Sequence, residues 1–260
     1  MHYVRGGSGS PPLVFVHGFA CSHEDWKPQA DHFRKTNEIV ACDLRGHGQT
    51  PGRPEECTIE NFGGDVAALL ANLDLPKAIL VGHSMGCRVV LEANRLDPER
   101  VAGIVLVDGS RTGTGDPARA AADARAVVAR TGYPAFAENL FRQMFFKPSA
   151  LADAIVKRAV QASAGFGPLL WPDMARWDAG EMDAALAAVK APVLVIQSTT
   201  RNPELKRTAL KPGESSPYLD LMRKSLKDVR IEIVPSGHFT MLEAASTVNR
   251  LIEEFAAAGR

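Results

Sequence analysis

The chain holds 260 residues, with 30 basic against 30 acidic side chains, a balance that excludes a surface built for nucleic acid or another polyanion. No apolar run approaches the ~18 residues of a membrane span, and residues 1–7 lack the apolar stretch of a signal peptide. The expectation is a soluble, cytoplasmic protein whose partner is a small molecule, with no nucleic acid and no membrane, and free to form a homo-oligomer.

In chain order, short β-branched and apolar runs at 13–16, 39–42, 78–81, 101–107, 192–196 and 231–234 read as strands. They are apolar on both faces, which suits a parallel sheet covered by helices on each side. Helical spacing separates them. Ser22 with Asp25 three residues on resembles a capping box. Thr58 is placed to cap a helix whose Ile59, Phe62, Val66, Leu69, Leu70 and Leu73 share one face, and Val248, Leu251, Ile252 and Phe255 mark a closing helix. Such alternation gives an α/β fold with a doubly wound, mostly parallel sheet.

The alternation stops over 111–190, a connection too long for a loop. There Asp116-Pro117 and Gly132 bound one helix, Phe136, Leu140, Phe141 and Met144 mark a second, and 151–160 a third. The organisation expected is a first core part over 1–111, a helical cap inserted over 112–190 and a second core part over 191–260. The four cysteines, Cys21, Cys42, Cys57 and Cys87, include no CxxC pair. They read as reduced, partly buried thiols, with neither a metal site nor a disulfide framework.

Chemistry gathers at the strand ends. Gly82-His83-Ser84-Met85-Gly86 follows a strand and precedes a helix start. In that setting glycines leave room for a sharp turn that lifts the serine hydroxyl above the sheet as a nucleophile. Of the seven histidines, His238 is the one well placed to bring an imidazole over Ser84 as general base, since it follows Gly237 beyond the last strand. His17, His47 and His83 read as structural, and Trp26 as helix packing.

With His17-Gly18-Phe19, the loop Asp43-Leu44-Arg45-Gly46-His47-Gly48-Gln49-Thr50, the serine turn and Gly237-His238 in this order, the chain resembles the α/β-hydrolase superfamily. The resemblance covers nearly all of it outside the cap, and points to the serine-nucleophile, esterase- or lactonase-like branch. It implies that the Phe19 and Met85 N–H groups form an oxyanion hole, that the Asp43 loop is a structural turn, and that a carboxylate completes a triad. In most relatives that acid follows the penultimate strand, where this chain has Gln197-Ser198-Thr199-Thr200-Arg201-Asn202 and no carboxylate. Asp108, one strand earlier, is favoured because part of the superfamily places its acid there. Glu204, Glu214 or no acid at all are the alternatives. Relatives also carry an N-terminal hairpin for which this chain has only residues 1–5, so the first edge strand is left open.

The reaction implied is acyl transfer to water through an acyl-enzyme on Ser84, on a small, largely apolar ester or lactone, with no metal and no cofactor. Carbon–carbon bond hydrolysis or perhydrolysis on the same triad, and a ligand receptor with little turnover, are the rivals. A serine at this position excludes the aspartate-nucleophile branches such as haloalkane dehalogenases and epoxide hydrolases. Phe141, Met144 and Trp171 are candidate pocket residues. The basic run Arg201, Lys206, Arg207 and Lys211 reads as a solvated loop, with contact to a substrate carboxylate as the alternative.

Overall fold

A computed structural model describes residues 1–202 and 204–258. The elements are β1 (Tyr3–Gly6), β2 (Leu13–Val16), α1 (Lys27–Phe33), β3 (Ile39–Cys42), α2 (Ile59–Asn72), β4 (Ala78–His83), α3 (Met85–Leu96) and β5 (Val101–Val107). Then come α4 (Pro117–Thr131), α5 (Tyr133–Arg142), α6 (Ala150–Ala162), α7 (Gly167–Gly180) and α8 (Met182–Ala187). The chain closes with β6 (Val193–Gln197), β7 (Thr199–Arg201), β8 (Arg207–Ala209), α9 (Pro217–Ser225), β9 (Val229–Ile233), α10 (Thr240–Glu243) and α11 (Ala245–Ala258).

Seven strands form one sheet in the order β1-β3-β2-β4-β5-β6-β9. β1 runs antiparallel to β3 and every other pairing is parallel. All four residues of β2 are fully buried, as are Ile104 to Val107 of β5, which is why these strands are apolar at every position and not at alternate ones. From β2 the chain moves to β3 on one side, and from β3 it crosses back over β2 to β4. Right-handed crossovers therefore place α1 on one face and α2 and α3 on the other. α11 returns to pack on α1, while α3, α8 and α9 pack in succession. The reversal of strand order at β2 opens a crevice beyond the C-terminal ends of β2 and β4, where open α/β sheets take their ligands.

The first edge strand is present. Tyr3 pairs with Cys42 and Gly6 with Ile39, so the short N-terminal stretch supplies one strand without a hairpin. Thr58 caps α2 through Asn61 N, and Asp116 caps α4 through Arg119 N. The helices α4 to α8 all lie between β5 and β6, α4 packed on α7 and α5 on α6. The β7–β8 pair, antiparallel and separate from the main sheet, has no counterpart in the sequence reading. All four cysteines are free and buried, and burial pushes the Cys42 and Cys87 thiols up to about 12. Among the described residues no helix is long and apolar enough to cross a membrane.

Candidate active site

The sheet register brings the strand ends into line. His83 lies opposite Val107, Ser84 N donates to Val107 O at 2.9 Å, and Asp108 N donates to Ile196 O at 2.8 Å. The residues just past β4, β5 and β6 thus stand side by side at one rim. Ser84 turns the chain from β4 into α3 with φ 54° and ψ −111°, a left-handed conformation that a non-glycine residue holds at a cost of about 1–3 kcal/mol. Its neighbours must be glycines. A Cβ on Gly82 would sit 2.3 Å from Gly86 O, and one on Gly86 would sit 2.4 Å from Val16 O. The turn is pressed against its own helix and against the end of β2, so no side chain fits.

His238 Nε2 lies 2.9 Å from Ser84 Oγ and its Nδ1 lies 2.6 Å from Asp108 Oδ2. Asp108, itself at φ 45°, is wrapped in donors. Its Oδ1 accepts Ser198 N at 2.7 Å and Thr199 N at 2.8 Å, and its Oδ2 accepts Thr199 Oγ1 at 2.5 Å and Arg207 Nη1 at 3.3 Å. Burial raises the Asp108 pKa, while the Arg207 charge, the Thr199 hydroxyl and the two amides oppose it. Every partner is a donor, which suits a carboxylate and places the imidazole proton on Nδ1 of His238. Burial and the positive charges of Arg207, Arg201 and Arg88 hold the His238 pKa well below its usual value. The other candidate acids are elsewhere: Glu204 and Glu214 are exposed, and Glu214 accepts from Lys211 N at 2.8 Å.

The loop after β2 lies against Ser84, since a Cβ on Gly18 would be 3.2 Å from Ser84 Cβ. His17 holds this loop: its Nδ1 donates to Gly18 O at 2.8 Å and its Nε2 accepts Leu44 N at 3.0 Å. Among the described residues neither Phe19 N nor Met85 N has a protein acceptor. His83 Nε2 donates to His238 O at 2.9 Å, and His238 N donates to Met144 O at 2.8 Å. His238 is therefore gripped from the serine turn on one side and from the inserted segment on the other. Burial keeps His17 and His83 uncharged, with pKa values lowered to about 4 and about 3. Gly237 is required for room, because a Cβ there would meet Glu243 Oε1 at 2.4 Å and Met144 O at 2.6 Å. Trp26 is fully buried against Phe15, as packing requires.

Around Ser84 lies a cavity of about 20 Å³, walled by Phe19, Met144, Trp171, Arg88, Arg201 and Arg207 among others. That is room for one water. Met144 and Trp171 stand where the pocket was expected, whereas Phe141 does not line the cavity and packs behind Phe19 at 6.3 Å between ring centroids. A larger cleft of about 390 Å³ shares Ser110, Arg201 and Arg207 with it.

The arginines correct the reading of the basic run as a solvated loop. Lys206 and Lys211 are exposed, but Arg207 is buried and contacts Asp108, and Arg201 reaches the wall of the Ser84 cavity. Arg207, the first residue of β8, is buried while its neighbours Lys206 and Thr208 are exposed. Arg88, four residues after the serine, went unread. Its guanidinium forms a buried bidentate pair with Asp178 of α7 at 2.6 and 2.7 Å, pinning the inserted helices to α3.

Metal-ligating groups also approach one another at His2, His23 and Asp43, within 4.8 Å. Asp43 already accepts both rings and the His23 and Gln49 amides, as a structural turn would require. None of the three lines the Ser84 cavity.

Residues 13–251 match the model of the alpha/beta hydrolase family. The dihydrolipoyllysine-residue acetyltransferase component of the acetoin cleaving system of Pseudomonas putida is 37% identical over 43% of this chain, a match spanning only 30% of that protein's length. A putative carbamate hydrolase of Variovorax paradoxus is 27% identical over 99% of this chain and 96% of its own. An esterase of Thermogutta terrifontis, solved with malate bound, shares the fold with a TM-score of 0.80 at 24% identity, covering 99% of this chain and 93% of that one. The strand order, the serine turn at the crevice and the match over 13–251 agree: the chain belongs to the alpha/beta hydrolase family.

Proposed function

We propose that the protein hydrolyses the ester or lactone bond of a small substrate through an acyl-enzyme on Ser84. The observation that carries this reading is the unbroken chain Ser84–His238–Asp108, with contacts of 2.9 and 2.6 Å, beside two amides without acceptors. His238 takes the proton from Ser84 Oγ as it attacks the carbonyl, and Asp108 stabilises the imidazolium that forms. The developing oxyanion accepts from Phe19 N and Met85 N, donors each worth about 100- to 1,000-fold in rate. His238 then protonates the leaving alcohol, and water repeats the attack with the same base. In this reading the insertion over 112–190, with α4 to α8, acts as a cap, which excludes bulk water and strengthens these interactions.

The test is fluorophosphonate labelling together with turnover of short p-nitrophenyl esters, both abolished by Ser84→Ala. A protein that binds esters or lactones tightly, resists labelling and turns nothing over is a receptor and refutes the proposal. A panel containing esters, lactones and diketones then separates acyl-oxygen from carbon–carbon cleavage.

A further inference from the structure

Arg88, Arg201 and Arg207 line the Ser84 cavity, and two carboxylates answer them. Asp178 pairs with Arg88 and Asp108 with Arg207, while among the described residues Arg201 has no acidic partner. Its Nη2 donates only to the hydroxyls of Ser110 at 3.0 Å and Thr112 at 2.7 Å. Its Nε is buried without an acceptor, and the guanidinium lies 5.7 Å from the Trp171 ring centroid. Neutral hydroxyls and a ring face do not replace an anion for a half-buried cation whose Nε is shut off from water.

The hairpin adds a second, independent observation. Arg201 lies directly opposite Arg207 in the β7–β8 register. Like charges facing each other across an antiparallel pair repel. Arg207 is relieved by Asp108, whereas Arg201 is not. Burial and the charges of Arg207 and Arg88 drag the Arg201 pKa down to about 9, which expresses the same unanswered field. The 390 Å³ cleft opens on Arg201 and Arg207 from the other side, with exposed Lys224 on its wall. This cleft has room for far more than a water molecule beside the Ser84 cavity.

We infer that Arg201 is a specificity-determining residue that binds a carboxylate of the substrate, so that the ester or lactone cleaved at Ser84 carries a free acid group. The inference rests on the serine-hydrolase reading for the cleavage but not for the binding. A planar guanidinium with an open Nε matches a carboxylate through parallel N–H bonds. The bound anion also offsets the positive field that lowers the His238 pKa, making the base stronger only when the acid-bearing substrate is present.

The test uses ester pairs differing in charge: 3-acetoxybenzoate against phenyl acetate, and mono-p-nitrophenyl adipate against p-nitrophenyl hexanoate. The wild type should prefer the acid of at least one pair. In Arg201→Gln the acid-to-neutral ratio of kcat/KM should fall on the order of 10- to 100-fold, mainly through KM, and Arg201→Lys should regain part of it. An unchanged ratio in Arg201→Gln, or no preference for either acid in the wild type, overturns the assignment. Binding is read separately: adipate or benzoate should raise the Tm of the wild-type and Ser84→Ala proteins but not of Arg201→Gln, and a shift that survives in Arg201→Gln counts against the site. If Ser84 resists labelling while the Arg201-dependent shift persists, the hydrolase reading fails and the carboxylate site stands.

Discussion

Asp108→Asn tests the acid most sharply, because the surroundings of Asp108 dictate how the amide must lie. Oδ1 accepts two backbone N–H groups, Ser198 N and Thr199 N, so the asparagine must put its oxygen there. Its NH₂ then occupies the Oδ2 position, facing His238 Nδ1, the Thr199 hydroxyl and Arg207. A donor facing Nδ1 forces that nitrogen to accept, and the proton moves to Nε2, toward Ser84. His238 in that tautomer cannot take the serine proton, a change that costs about 10⁴ in kcat where a triad acid is made an amide. The assay is kcat on a short p-nitrophenyl ester, with circular dichroism and denaturant midpoint confirming that the variant is folded. A folded Asp108→Asn within tenfold of wild type, or a Glu204→Gln variant as inactive as Asp108→Asn, refutes the reasoning.

In the proposed mechanism the acid limb of the kcat/KM profile reports His238, whose neutral form takes the serine proton. Burial and Arg207, Arg201 and Arg88 lower its pKa, so activity should persist as pH falls through 6.5 and be lost only below it. Arg207→Gln removes one of those charges and should move the limb upward; a limb that stays in place or moves down contradicts the assignment of cause. In equilibrium denaturation, Arg88→Met should cost about 3–5 kcal/mol, because Asp178 is left buried without its cation. The double variant Arg88→Met, Asp178→Leu should recover much of that loss, and a double variant as unstable as the sum of the two single ones would show that the pair is not the cause.

Much of the fold was legible because its signals are local. All six expected strands appear, β9 beginning two residues early and carrying Arg230 and Glu232, and Thr58 and Asp116 cap the helices they precede. α8 escaped because six residues carry too little periodicity to register. α9 escaped although Ser216-Pro217 offers the same cap-then-proline signal as Asp116-Pro117. β1 was left open because four residues pairing with a strand more than thirty positions away leave no local trace. Ser84 and His238 could be picked out because each follows a recognisable strand, whereas Asp108 was favoured over Glu204 and Glu214 only through the resemblance. The grip of Met144 O on His238 N could not, because a backbone contact between an inserted segment and the last loop depends on no side-chain identity.

The missing carboxylate after β6 and the misread arginines are two sides of one arrangement. With Asp108 at the end of β5, residues 198 and 199 turn their amides and the Thr199 hydroxyl toward its carboxylate. An acidic side chain there would face a second carboxylate at hydrogen-bond range, and the two could not both ionise. The segment that follows then folds back as β7–β8, and that turn sets Arg207 on Asp108 and Arg201 opposite it. A run of basic residues does not separate Arg201 and Arg207 from the lysines, because which side chain meets Asp108 or the Ser84 cavity depends on the pairing of two strands of three residues each. In the proposed triad, a carboxylate at the end of β5 thus goes with a loop of donors, the donors anchor a hairpin, and the hairpin brings to the serine a cation that, among the described residues, no carboxylate answers.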